Sequence, residues 1–76
     1  MSKVPALHAR QILRALEKAG FRIVRQRGSH VRLIHASDPT RYATVPMHGG
    51  DVPRKNVASI LRQAKLSVDE FLQLLD

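Results

Sequence analysis

Two turn signals, Gly28-Ser29 and Asp38-Pro39, cut residues 21–47 into three strand-like runs, which constrains the fold more than any other feature of the chain. Phe21–Arg27 precedes the first turn, His30–His35 lies between the two, and residues 42–47 follow the second. A two-residue loop joins antiparallel neighbours, so a three-stranded antiparallel meander is predicted. In its middle strand, alternation sends Val31, Leu33 and His35 to one side and His30, Arg32 and Ile34 to the other. Val31 and Leu33 predict the face that packs on helices. His30 and Arg32 are then expected together on the opposite, open face.

Helical patterns flank the meander. Between residues 7 and 19 the apolar Ile12, Ala15, Leu16 and Ala19 recur at helical spacing, with Arg10, Arg14 and Lys18 as a basic stripe on another side. Gly20 supplies the stop. Pro53 suits the first turn of a second helix, and Asp51 just before it is a favourable charge for that end. Val57, Ile60, Leu61 and Ala64 form this helix's apolar face. Ser67-Val68-Asp69-Glu70 has the form of a capping box, opening a short last helix that carries Val68, Phe71, Leu72 and Leu75. The order α-β-β-β-α-α predicts an α+β fold, its sheet covered on one face by helices. Seventy-six residues leave room for one domain, 1–76, with residues 1–5 expected as a loose N-terminus.

Charge narrows the partners. Thirteen Lys and Arg against six Asp and Glu give +7, and nine of the thirteen are arginine. From residue 18 to residue 37 stand Lys18, Arg22, Arg25, Arg27 and Arg32 with no acid among them. Arginine's planar fork matches phosphate oxygens, so a polyanion or an acidic protein is the natural partner. There is no cysteine, which removes disulfides, thiolate zinc sites and a cysteine nucleophile. No apolar run nears the ~20 residues that cross a bilayer, and the start lacks a signal peptide's apolar stretch. A cytoplasmic protein without membrane contact is expected.

Four histidines remain as candidates for chemistry. His8 precedes or opens the first helix and is expected on the surface. His35 is expected half-buried on the packed side of the sheet. His48 leads into Gly49-Gly50, a loop that can bring it near a ligand as an auxiliary group. His30 differs by its company, directly after Gly28-Ser29 and among Arg25, Arg27 and Arg32. The histidine spacing matches no metal motif, and the acids are scattered rather than clustered as two-metal chemistry needs; no metal or other cofactor is expected.

One imidazole and several arginines suit chemistry on RNA, which carries its own nucleophile in the 2′-hydroxyl. His30 can take that proton as general base. Arg25, Arg27 and Arg32, with the hairpin tip at Gly28 and Ser29, can hold the phosphate and offset its growing charge. On the residues alone, a non-catalytic RNA-binding module using the same basic face fits as well, and so does an adaptor for an acidic protein.

The stretches "LRALEKAGFRIVRQRGSHVRL", "VPMHGG" and "ILRQAKLSVDEF", in this order and spacing, resemble the HicA family of toxin mRNA interferases over nearly the whole chain. The resemblance implies a fold like a double-stranded-RNA-binding domain and metal-independent endoribonuclease cleavage of mRNA, with the Gly-Ser-His histidine, here His30, as the catalytic residue. It also implies a cognate HicB-type antitoxin that binds the toxin and masks this histidine. Operator DNA would be reached only indirectly, through the antitoxin.

Some positions depart from the family pattern. Val31 follows His30 where a histidine or aromatic residue is frequent, and Lys65 stands where glycine is common after Gln-Ala. A left-handed Lys65 would carry modest strain. With Phe21, Tyr42 and Phe71 as the aromatic residues, extensive base stacking is not expected. Positioning through the nucleic-acid backbone, with weak sequence preference, is the corresponding expectation.

Overall fold

In the computed structural model, which describes residues 4–47 and 49–75, the chain runs β1 (Leu7–His8), α1 (Ala9–Lys18), β2 (Phe21–Arg27), β3 (His30–His35), β4 (Tyr42–Pro46), β5 (Asp51–Val52), α2 (Arg54–Ala64) and α3 (Val68–Leu74). Of the expected loose N-terminus, residues 1–3 lie outside the described residues. Strands β2, β3 and β4 form the antiparallel meander, with β3 in the middle. Gly28, with φ +58°, is the first residue of the β2–β3 loop, as a type II′ turn requires. The arrangement is α+β and matches the α-β-β-β-α order of a double-stranded-RNA-binding domain.

The helices and sheet close over one core. Ile12 and Leu16 of α1, Leu33 and Val45 of the sheet, Val57 of α2 and Phe71 of α3 are fully buried. On α2 the predicted face of Val57, Ile60, Leu61 and Ala64 is the buried one. On α3, Val68, Leu74 and Leu75 are partly buried against the core beside Phe71, with Leu74 in the packed set instead of Leu72. Covering these apolar groups is the main stabilising term, at roughly 25 cal/mol per Å² removed from water.

One short pairing sets the starts of both longer helices. Leu7 pairs with Val52 and His8 with Asp51 in a two-residue ladder. Leu7 and His8 are therefore extended, and α1 begins at Ala9. His8 is exposed and caps that helix: its Nδ1 accepts the Arg10 amide at 3.2 Å, while its own amide donates to Gln11 Oε1 at 3.1 Å. Asp51 is likewise held in β5, ahead of α2, and Pro53 occupies the N-cap rather than the expected first turn.

Helix ends follow local chemistry. Gly20 has φ +99°, and a Cβ there would lie 3.0 Å from His35 Nε2. That backbone conformation favours glycine, and a side chain there would also press on the His35 ring. Lys65 ends α2 in the left-handed conformation (φ 57°, ψ 40°). The Leu66 amide donates to Leu61 O at 3.0 Å, the bond that closes a left-handed helix end. Lys65 Nζ donates to Thr40 Oγ1 at 2.9 Å. Ser67 and Glu70 form the predicted capping box on α3.

Candidate functional site

The side chains that alternate away from the core form a grid on the open face of the sheet. Cross-strand partners share a face, and the register gives three rows: Arg27–His30–Pro46, Arg25–Arg32–Thr44 and Arg22–Ile34–Tyr42. His30 opens β3, exposed, with Arg27 on one side and Pro46 on the other. Arg25 and Arg27 are also exposed. His30 thus shares one surface with Arg25, Arg27 and Arg32.

This grouping depends on a β-bulge. Phe21 and Ile23 pair with His35 and Leu33 on the core side, yet Arg25 pairs with Arg32 and Arg27 with His30. Strict alternation from Phe21 would turn Arg25 and Arg27 inward. The register shift between Ile23 and Arg25 leaves Val24 as the extra residue and reverses the alternation after it.

The face is electrostatically unfavourable by itself. Arg25 lies directly opposite Arg32, and like charges in that position destabilise a sheet. Arg32 is drawn toward Tyr42, its guanidinium carbon 4.6 Å from the ring centroid. Among the described residues no carboxylate is set against Arg22, Arg25 or Arg27. An anion laid over the face would relieve this repulsion.

The hairpin tip is anchored at one residue and open at the other. Ser29 is half-buried, and its carbonyl accepts the Met47 amide, tying the tip to the end of β4. Gly28 is exposed, with nothing within 4 Å of where a Cβ would stand. Backbone from another molecule can approach there closely. His48, a candidate auxiliary group, lies outside the described residues.

His35 is half-buried on the packed side, as expected. Its Nε2 lies 3.1 Å from Ala19 O, and its ring meets Phe21 edge-on at 5.0 Å between centroids. It fastens β3 to the end of α1. Among the described residues no three His, Asp or Glu side chains come together as a metal site would need.

A cleft of about 350 Å³ opens on the other side of His30, between β4 and α2. Its walls include Thr44, Pro46, Asn56, Ser59 and Gln63, together with His30 itself. The sequence reading missed the α2 contribution. Asn56, Ser59 and Gln63 do recur at i, i+3 and i+7, one helical stripe, but nothing local says that this stripe faces His30.

An α+β meander with one basic, open sheet face and helices behind it belongs to the class of domains resembling the double-stranded-RNA-binding domain. The family model described as the HicA toxin of bacterial toxin–antitoxin systems matches residues 9–66, from the start of α1 to just beyond α2. The chain therefore belongs to the HicA toxin family. None of the curated proteins compared with it matches. No helix among the described residues is long and apolar enough to cross a membrane.

Proposed function

We propose that the protein is an endoribonuclease toxin that cuts mRNA in the cytoplasm without a metal ion. The observation that carries this is the placement of His30 on one exposed surface with Arg25, Arg27 and Arg32. The arginines hold the scissile phosphate, and the backbone at Gly28 and Ser29 lies against the RNA chain. His30 takes the proton from the 2′-hydroxyl, O2′ bonds to phosphorus, and the bond from phosphorus to O5′ breaks. The products are a 2′,3′-cyclic phosphate and a 5′-hydroxyl, whose proton comes from protonated His30 or water. A cognate HicB-type antitoxin restrains the enzyme by laying carboxylates over the same arginines. Operator DNA is bound by that partner rather than by this chain.

His30→Ala tests the assignment. The side chain is exposed, so the variant is expected to fold, to bind RNA and to bind the antitoxin. Cleavage should fall by about 10²–10⁴-fold, the usual contribution of general-base catalysis. The parent should keep cutting in EDTA and should spare a site whose 2′-hydroxyl is replaced by hydrogen. If the purified variant cut RNA at the parent rate, the face would be a binding surface and the non-catalytic alternative would replace the enzyme.

A further inference from the structure

We propose that the cleft between β4 and α2 is a nucleobase pocket, and that it makes cleavage depend on the base next to the broken bond. This rests on His30 being the site of RNA cleavage, and it adds specificity to an activity otherwise expected to follow the backbone alone.

Helix α2 presents three kinds of surface. Val57, Ile60, Leu61 and Ala64 are buried, and Arg54, Lys55 and Arg62 are exposed. Asn56, Ser59 and Gln63 form the third, an uncharged stripe that lines the cleft shared with His30. A phosphate would favour the cations found on the rest of the helix. A base edge instead needs neutral groups that both donate and accept, which Asn and Gln amides and Ser and Thr hydroxyls do. The amides of Asn56 and Gln63 and the hydroxyl of Thr44 have no side-chain partner among the described residues. Ser59 Oγ accepts from Arg62 Nη2 at 2.9 Å, which leaves its own proton to donate.

Geometry divides the work around His30. Arg27 lies opposite it on the β2 side, and Pro46 opposite it on the β4 side. Phosphate is held toward β2, and the attached base turns toward β4 and α2, where Pro46 and Ile60 supply apolar walls. Exposed Asp51 also lines the cleft and disfavours phosphate there. The cleft's volume of about 350 Å³ stands at the small end of the range for ligand pockets, which suits a single nucleoside rather than a longer segment.

The test uses DNA oligonucleotides carrying one ribonucleotide, so that a single bond can be cut, with the neighbouring base varied among the four and an abasic residue. Parent kcat/KM should differ about ten-fold or more between the best and worst bases, and should fall on the abasic substrate. Asn56→Ala combined with Gln63→Ala should compress the spread to about two-fold, while Gln73→Ala on α3 should keep it. All-deoxy versions of the same oligonucleotides, which lack the nucleophile, report base preference by binding to the parent protein without cleavage. Cleavage that ignores the neighbouring base, or a spread untouched in the double variant, overturns the pocket and leaves the nuclease standing. Base-dependent binding by a protein that cuts no RNA keeps the pocket and removes the nuclease.

Discussion

The two faces of the β2–β3–β4 sheet are made from alternate residues of the same strands, yet they obey opposite rules. On the covered face Val31, Leu33, Ala43 and Val45 are buried and mutually packed. On the open face His30 and Arg32 stand exposed, and Arg25 directly opposes Arg32 against the ordinary preference of a sheet. The covered face is organised for stability, and the open face gives up some stability for charge. Where local energetics and composition disagree, function is the usual cause. The strands divide in a similar way. Strands β3 and β4 each put two residues into the core, whereas β2 buries only Phe21 and leaves Ile23 and Val24 47% and 55% exposed.

This contrast can be broken by substitution. Leu33→Ala, on the covered face, should cost about 2–5 kcal/mol in urea unfolding, since the surrounding core cannot fully collapse. Arg25→Ala on the open face should do the reverse, holding or raising stability by up to about 1 kcal/mol as its like-charged neighbour is relieved. RNA affinity should nevertheless fall, and the slope of log affinity against log salt should drop by about 0.7 for each single-strand phosphate no longer neutralised. A large stability loss for Arg25→Ala would show that the open face is structural and erase the distinction.

Smaller effects sharpen the difference between strands. Ile23→Thr on β2 should change the unfolding free energy by less than about 0.5 kcal/mol, because that side chain is half in water already. A loss comparable with Leu33→Ala would mean that β2 is covered in solution, for instance by a second copy.

The smallest expected effect lies far from either face. The Ser67 backbone amide, then its hydroxyl, hold the Glu70 carboxyl below its ordinary value. A carboxylate depressed in the folded state stabilises above its unfolded pKa, about 4.3 for glutamate, and that support is lost as pH falls through the lower folded value. Glu70→Gln should therefore reduce the difference in unfolding midpoint between pH 7 and pH 3. Equal differences in parent and variant would detach the capping box from acid stability.

Much of this fold was legible because its signals are local. Gly28-Ser29 placed a hairpin whose strands have the expected bounds, and Ser67 with Glu70 placed the last helix. His30 and Arg32 followed from alternation within one strand. The short β1–β5 ladder did not follow, because Leu7 pairs with Val52 and His8 with Asp51, residues some forty positions away. Lys65 shows a local rule met by a residue other than glycine. It adopts the left-handed turn that glycine favours, since Leu66 must still reach Leu61 O.

The meander, the apolar faces of its helices, the excess of arginine and the place of His30 beside a tight turn are all written in the amino-acid order. They depend on residues a few positions apart, whose period and turn chemistry act within one element. The rest of the site comes from long-range packing. The bulge at Val24 arises because Phe21 and Ile23 take the core side of the sheet while the turn pairs Arg27 with His30 on the open side, and one extra residue reconciles the two registers. The neutral stripe of Asn56, Ser59 and Gln63 reaches the His30 cleft because Val57, Ile60, Leu61 and Ala64 are buried in the core. That burial fixes the helix's rotation, and so which stripe faces His30.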